Sequence, residues 1–521
     1  MTKKRDGKRL SAVAIAASDN EAMGQNRAPL DANLTYEQID TVVRRALDRD
    51  NSPDALRHIV TASDWVVIKP NIVTSRSRRA CSYWHEDRAH PGQVTDLRVI
   101  KSLIGYLMEH CRPRRITVAE GGAEWRKTGS PQADPEQKED GWTVAWPEFE
   151  NLSYAELVAE FDRAYSGTVD IVDLNEDDIR FVPVPDPRRS GIGAMQRTGA
   201  QRRSTELFGR EAYVPGTGTL RDGYHIPETV LNCDKLISVP AMKTHTCGTT
   251  LALKNYIGIL PSHPSGVVRK GDIHKGDFQK GFVDLFSYHP ADYSVIEGFW
   301  STEGNGPQWG DDLHHNVVVA SADPVAADAV ASAVMGFNPA DLDYLHYAAQ
   351  KGFGTFDMEK IEIAGRPIEE VKRVFKRAAG RKGIAFAGRG NRRWLVRDAA
   401  GGGGQVFKSG ERYIDLATHF GQNGTTAAVA EVAVDSGCAQ KGRLWASAHG
   451  RMRVDLNGKT VLQKETENGH RFAERQVEIQ LETGANRLSV YVERGESGFG
   501  FTALLCNHLG DGLFDITYRA E

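Results

Sequence analysis

Apolar runs alternate with amphipathic segments over roughly the first 366 residues, and this alternation restricts the fold more than any other feature. Residues 13–17, 65–68 and 116–119 are short, largely apolar runs typical of buried strands. The segments 35–48 and 95–111 repeat their apolar residues at helical spacing. Strands that alternate with helices form parallel sheets, so we predict an α/β domain with a largely parallel sheet and helices on both faces. Further strands are predicted at 169–174, 236–239, 293–296, 317–320 and 361–364, and a further helix at 324–335, capped by Asp323.

The hydrophobic period changes to two beyond residue 404. Segments such as 426–434 and 487–492 alternate as half-buried strands do, and Asn457-Gly458 is a two-residue hairpin signal. Residues 379–404 are rich in Arg, Gly and Ala and end in four glycines, which is typical of a linker. We therefore predict an α/β domain at 10–378, a linker at 379–404 and an all-β sandwich at 405–521.

The sandwich region is similar to a known class of accessory domain. The runs V-D-L-N-G-K, G-A-N-R-L-S-V-Y-V and G-F-G-F resemble jelly-roll accessory domains of carbohydrate-active proteins. Modules of that kind bind sugar in some proteins and only pack against a partner domain in others. A jelly-roll-like domain is therefore expected here, with carbohydrate as one candidate partner.

Composition and charge exclude several classes of protein. The formal net charge is −4, with 65 Lys plus Arg against 69 Asp plus Glu, which argues against the broadly basic face of a nucleic-acid-binding protein. No apolar run approaches the roughly 18 residues of a membrane span, and the apolar run at 11–17 ends too early for a signal peptide. The six cysteines show no C-x-x-C spacing, so no iron–sulfur cluster is expected. A cytoplasmic protein without nucleic-acid or membrane partners is predicted.

Polar side chains follow several of the predicted strands. Lys243 and His245 lie directly after the strand that ends near Val239, and a helix predicted to follow Gly248 carries Lys254. In open α/β sheets, ligands bind at the carboxyl ends of the strands. The residues predicted to meet there are Lys69, Asn71, Glu120, Lys243, His245, Lys254, Asn255, His274, Glu303 and Asn305.

An ordered set of short motifs resembles the DUF362 family, a domain of unknown function. The set comprises V-I-K-P-N at 67–71, K-T-H at 243–245 followed by L-K-N-x-x-G at 253–258, D-I-H-K at 272–275, E-G-N-G-P at 303–307 and A-D-P-V-A-A-D-A at 322–329. The resemblance covers roughly residues 10–366. Some members carry an appended ferredoxin-like cluster module, which this sequence lacks. Because the family name implies no reaction, the chemistry has to be inferred from the residues.

The residue types at the strand ends favour an anion site with acid/base capacity. Ammonium groups and amides are suited to phosphate or carboxylate, which assigns substrate binding to Lys69, Asn71, Lys243, Lys254, Asn255 and Asn305. Histidines and carboxylates move protons, which makes His245, His274, Glu120 and Glu303 the candidate catalytic groups. His245 and His274 are also candidate ligands for a divalent metal.

Two classes of function remain open from the sequence. The first is an isomerase or lyase that carries out isomerisation, epimerisation or elimination on a small anionic or hydroxylated substrate, with or without a metal. The second is a non-catalytic protein that binds an anion or a glycan. The sequence contains neither a G-x-G-x-x-G run after its first strand nor a G-x-S-x-G elbow, so a dinucleotide fingerprint and an α/β-hydrolase site are not supported.

Overall fold

The computed structural model describes two compact parts of the chain. The residues it describes are 4–5, 8–18, 32–50, 52–73, 91–122, 142–184, 190, 223–261, 273, 278–307, 309–380, 383–384, 387–409, 412–421, 424–465 and 469–520. The first unit comprises residues 1–339 and 343–385, and the second comprises residues 340–342 and 386–521.

An 11-stranded, mostly parallel sheet forms the centre of the first unit. In chain order its strands are β1 (Ser11–Ala17), β2 (Trp65–Pro70), β3 (Arg115–Glu120), β4 (Thr168–Asp173), β5 (Lys235–Val239), β6 (Ala241–His245), β7 (Gly248–Thr250), β8 (Tyr293–Asn305), β9 (Trp309–Leu313), β10 (Val317–Ser321) and β11 (Ile361–Gly365). The order across the sheet is β11-β1-β10-β8-β5-β2-β3-β4, with β6 and β9 pairing with β8 and β7 pairing with β6. Strand β10 is antiparallel to both of its neighbours, and the other pairs along this path are parallel. The predicted α/β class is confirmed.

Among the described residues, four helices of the first unit begin at a side-chain cap, provided by Thr35, Asp96, Ser153 and Asp323. The helices of this unit are α1 (Tyr36–Arg49), α2 (Leu56–Ile59), α3 (Leu97–His110), α4 (Tyr154–Ala164), α5 (Glu228–Asn232), α6 (Phe278–Tyr288), α7 (Pro324–Val334), α8 (Asp343–Gln350) and α9 (Ile368–Val371). Thr35 forms a capping box at the start of α1, whose buried stripe packs into the same core as α3. Asp323 accepts hydrogen bonds from the backbone N–H groups of Val325 and Ala326, which confirms its predicted role as the cap of α7.

The prediction of a helix directly after Gly248 was wrong. Residues 248–250 form strand β7, which folds back on β6, and a 3-10 helix occupies Lys254–Ile259. Gly248 has φ +102°, a left-handed conformation that allows the tight reversal between the two strands. The apolar residues Leu251 and Leu253 are buried as predicted, but in a short loop and not on a helix face.

The second unit is built from two antiparallel sheets, as predicted for a β sandwich. Its strands are β12 (Arg393–Asp398), β13 (Gln405–Lys408), β14 (Ile414–Asp415), β15 (Ala427–Ser436), β16 (Gln440–Ala448), β17 (Met452–Leu456), β18 (Lys459–Lys464), β19 (Arg475–Leu481), β20 (Gly484–Glu493), β21 (Gly500–Cys506) and β22 (Ile516–Arg519), with one helix, α10 (Leu416–Phe420), among the described residues. One sheet has the order β13-β12-β15-β20-β17-β18, with β22 on β15, and the other has the order β14-β21-β16-β19. Apolar residues of both sheets share a single buried cluster.

The structure differs from the predicted linker at 379–404. Strand β12 lies inside this range and pairs with both β13 and β15, so Leu395 is opposite Val406 on one side and Glu431 on the other. The four glycines at 401–404 form the connection between β12 and β13. Alternation in R-W-L-V-R-D, with Trp394 and Val396 buried, decides the conformation here and outweighs the surrounding Gly and Arg composition.

None of the helices in the described part of the chain is long and apolar enough to cross a bilayer. The cytoplasmic location stays a prediction.

Candidate functional site

A buried ion pair joins the carboxyl ends of β2 and β3. Lys69 Nζ lies 2.6 Å from Glu120 Oε2, and each side chain is only 1% exposed. The same ammonium donates hydrogen bonds to the carbonyl oxygen of Pro70 (2.9 Å) and to Asn255 Oδ1 (3.1 Å). Burial lowers the pKa of Lys69, and the Glu120 carboxylate opposes that shift. Because all of these partners lie close to one ammonium, Lys69 and Glu120 are mutually neutralised at this edge of the sheet.

The 3-10 helix Lys254–Ile259 covers the ion pair. The Asn255 amide group donates to the carbonyl oxygen of Lys69 and to Ser238 Oγ, both at 3.0 Å. Gly258 lies so close that a Cβ placed on it would be 2.1 Å from Glu120 Oε1 and 2.4 Å from Lys69 Nζ. A side chain at position 258 would therefore displace the ion pair, which gives a reason for the glycine of the L-K-N-x-x-G motif.

Lys243 carries an amine without a protein partner. It lies on β6 and is 0% exposed, and no atom in the described part of the chain accepts a hydrogen bond from its Nζ. Burial lowers its pKa to about 7, the nearby Glu297 and Glu120 carboxylates oppose the shift, and the Lys254 and Lys69 cations add to it. Thr250, directly opposite on β7, has a buried hydroxyl that also lacks a partner among the described residues. A buried polar group without a partner is unusual and is a signal of a functional site.

Glu297 is a functional candidate that the sequence did not reveal. It lies within β8, is 0% exposed, and its carboxylate accepts hydrogen bonds from the backbone N–H groups of Phe299 (2.9 Å) and Asp96 (3.3 Å). Burial raises its pKa to about 8, and the negative charge of Asp96 adds to the rise. The sequence shows only a carboxylate inside the strand run V-I-E-G-F, and this acidic residue in a buried strand was the signal that could have identified it.

The other predicted residues are placed at different distances from this cluster. Asn71 follows β2 and has a buried side-chain oxygen that lacks a donor among the described residues. Lys254 is 7% exposed, and its ammonium lies 5.4 Å from the centre of the Phe278 ring, while its charge reaches Lys243. His245 is partly buried, with Nδ1 3.0 Å from Thr246 Oγ1.

Glu303 and Asn305 lie farther along β8, beyond the cluster. Glu303 is 3.3 Å from the Lys376 ammonium and accepts a hydrogen bond from the Lys376 backbone N–H, so its charge is engaged away from Lys69. Asn305 is exposed at the end of the strand. His274 lies outside the described residues. The structure thus places Lys69, Glu120 and Asn255 in direct contact. Lys243 and Lys254 are linked to each other by the effect of the Lys254 charge on the pKa of Lys243.

A metal site was also predicted, at His245 and His274. In the described ranges, no group of three or more His, Cys, Asp or Glu side chains is arranged to hold a metal ion. Because His274 is outside those ranges, the predicted pair itself stays a prediction.

Residues 186–333 match the model of a family described as a domain of unknown function, DUF362. This segment is a DUF362 domain. The matched segment includes Lys243, Lys254 and Glu297. Lys69 and Glu120 lie before it, although the motif at 67–71, which contains Lys69, was one of those that indicated the resemblance. The match is narrower than the predicted span of 10–366.

One curated relative and several solved structures are similar to parts of the chain that carries this DUF362 domain. A thylakoid-associated protein of Synechocystis sp. is 27% identical over 133 residues, which is 25% of this chain and 40% of that protein. Among solved structures, a β-glucosidase from Kluyveromyces marxianus is 12% identical, with a TM-score of 0.18, and covers 21% of this chain and 15% of its own. A family 35 carbohydrate binding module from an environmental isolate is 14% identical, with a TM-score of 0.14, and covers 18% and 73% respectively. Overlaps this small support no conclusion about fold or function.

Proposed function

We propose that this protein is an enzyme that performs acid/base chemistry, such as isomerisation, epimerisation or elimination, on a small anionic or hydroxylated substrate. The observation that supports this proposal best is the Lys243 amine, which is buried and without a partner among the described residues. Its pKa is also affected by the charges of Glu297, Glu120, Lys254 and Lys69. Structural lysines normally satisfy their ammonium with carbonyl or carboxylate oxygens.

Lys243 and Glu297 form a pair suited to moving protons at neutral pH. The pKa of the amine is lowered and that of the carboxyl group is raised, so each is shifted toward neutrality. A general base or acid is most effective when its pKa lies near the working pH. In the proposed mechanism, neutral Lys243 accepts a proton from substrate carbon or oxygen, and protonated Glu297 returns one.

In the proposed site, the groups around Lys243 and Glu297 bind the anion. Lys254 supplies a cation whose charge no described carboxylate neutralises by direct contact, and Asn71 supplies a side-chain oxygen for a substrate hydroxyl. The Lys69–Glu120 pair holds the neighbouring strand ends in place, and Glu120 is therefore a positioning residue in this scheme. The remaining predicted roles stay part of the proposal without supporting contacts. They are acid/base catalysis by His245, His274 and Glu303, substrate binding by Asn305, and a divalent metal at His245 and His274.

Solvent deuterium exchange tests the proposal without knowledge of the natural substrate. Small 2-hydroxy acids, 2-oxo acids and sugar phosphates are incubated with the protein in D2O, and loss of carbon-bound protons is followed by NMR. We expect exchange in at least one compound, abolished in Lys243→Met and strongly slowed in Glu297→Gln. Lys235→Met is the matched control, because Lys235 lies at the start of β5, the strand before β6, and pairs with Asp292.

The same experiment separates the enzyme from the alternative, a protein that only binds an anion or a glycan. A binding protein would show ligand-dependent thermal shifts without exchange in any compound. Binding with no exchange, or exchange that survives Lys243→Met unchanged, would contradict the proposal.

A further inference from the structure

The Lys243 amine has the surroundings of a nucleophile as well as those of a base. Its Nζ is enclosed, lacks an acceptor among the described residues, and is directly opposite the equally unpartnered hydroxyl of Thr250. The two carboxylates whose charges act on Lys243 have other partners: Glu120 contacts Lys69, and Glu297 accepts hydrogen bonds from two backbone N–H groups. Lysines that form covalent intermediates with carbonyl compounds are kept neutral by an enclosed site or by an adjacent cation.

From this geometry we propose that Lys243 forms a Schiff base with a small 2-oxo acid. The inference rests on the proposed function and deepens it by naming the substrate class. Lys243 Nζ attacks the ketone carbon, and the carbonyl oxygen takes up two protons and leaves as water. The products are one protonated imine, joined by a new carbon–nitrogen double bond to Lys243, and one water molecule. In this scheme the proton that nitrogen loses passes to the departing oxygen, and protonated Glu297, whose pKa is affected by the charge of Lys243, supplies the second one.

The carboxylate of the 2-oxo acid is assigned by charge. Lys69 is neutralised by Glu120 at 2.6 Å, whereas Lys254 contacts the face of the Phe278 ring. The charge of Lys254 acts on Lys243. In the proposed complex, the compound presents its carbonyl to Lys243 and its carboxylate to Lys254. Lys243 has no exposed surface, so we take pyruvate, the smallest stable 2-oxo acid of this kind, as the probe.

Borohydride trapping with peptide mapping tests the inference on the full-length, wild-type protein. The protein is incubated with pyruvate and reduced with sodium borohydride, and the modified lysine is located by mass spectrometry. We expect a reduced pyruvate adduct at Lys243 that saturates with pyruvate concentration. The exposed lysines Lys360 and Lys376 serve as internal controls and should carry at least tenfold less. Absence of an adduct at Lys243, or equal labelling of all three lysines, would overturn the inference.

Acetone and one variant test the role assigned to Lys254. Acetone has the carbonyl but no carboxylate, so we expect its trapping at Lys243 to be at least tenfold weaker than that of pyruvate. Lys254→Met should lower pyruvate trapping toward the acetone level. Equal trapping of the two compounds by the wild-type protein would overturn the 2-oxo acid assignment, and this readout does not depend on the folding of a variant. Deuterium exchange without any trapped adduct would reject the Schiff base and leave the acid/base proposal standing. Absence of both deuterium exchange and a trapped adduct would reject the Schiff base and the acid/base proposal together.

Discussion

Replacing Lys243 with methionine should stabilise the first unit, although most substitutions of buried residues destabilise. Methionine keeps the unbranched stem of lysine and removes the amine, which has no hydrogen-bond acceptor in the described part of the chain. A buried polar group left unsatisfied costs about 1–3 kcal/mol. We therefore expect the free energy of unfolding to rise by about 1–3 kcal/mol at pH 7, while activity or trapping at Lys243 is lost.

The matched control is the same substitution at Lys464, a second fully buried lysine. Its ammonium donates to the carbonyl oxygens of Ala448 and Gly469 and lies 3.2 Å from a carboxylate oxygen of Glu474. Removing one partner of a buried ion pair costs about 3–5 kcal/mol. Lys464→Met should therefore destabilise the second unit, so the two substitutions differ in sign although their burial is the same.

Urea unfolding of both variants, followed by fluorescence and repeated between pH 7 and about 10, measures these differences. Below its folded-state pKa of about 7, Lys243 is charged in both states and the full penalty of burying it is present. Between pH 7 and the unfolded pKa of about 10.4, only the unfolded chain holds the proton, so the wild-type protein gains stability relative to Lys243→Met as pH rises. The shift of Glu297 acts in the opposite sense, which is why the difference between the two proteins is compared. A loss of stability in Lys243→Met as large as that in Lys464→Met would refute the reasoning, because it would require a partner for the amine.

Three further perturbations test the surroundings. Gly258→Ala should lower the free energy of unfolding by about 1–3 kcal/mol, because the new Cβ would collide with Glu120 and Lys69. Gly403→Ala is the control and should change it little, because the space around Gly403 is open. Equal effects of the two substitutions in thermal unfolding would contradict the close approach. Lys69→Met should cost about 3–5 kcal/mol by leaving the Glu120 carboxylate buried alone, and adding Glu120→Gln should restore a large part of that loss; a double variant no more stable than Lys69→Met would argue against the pair. Proteolysis at 401–404 should leave the two fragments associated in gel filtration, because β12, before the cut, pairs with β13 and β15, which both follow it. Separation of the fragments would support the linker that the composition predicted.

The sequence predicted the strands of the α/β unit well because each buried strand leaves a short apolar run that can be recognised in the sequence. Residues 65–70 and 115–120 are enclosed by sheet neighbours on both sides, and such strands are apolar almost throughout. The positions of Lys69 and Glu120 followed from the same pattern, since both come at strand ends. The structure places the two side chains in contact with each other, whereas their roles stay proposals.

The sequence did not predict which charged groups would be paired. Whether Lys243 or Lys69 has a neutralising partner depends on side chains from other strands, and spacing along one strand contains no such information. Glu297 was missed because it lies inside a strand whose neighbours are apolar. The helix predicted after Gly248 failed because pairing with β6 decided the conformation of three residues, and apolar spacing over so short a segment does not separate helix from strand.

The position of β1 in the sheet has a consequence for how the protein is made. Strand β1 pairs with β10 and β11 only, so Ala17 finds its partner Val317 about 300 residues later in the chain. At about 5–20 residues per second, a ribosome needs about 15–60 s to complete that distance. During that interval β1 has both hydrogen-bonding edges open, and edges of this kind are sites of mispairing. Folding of the first unit should therefore be slow, with high contact order, and its yield should depend more on temperature and chaperones during synthesis than on the stability of the finished sheet.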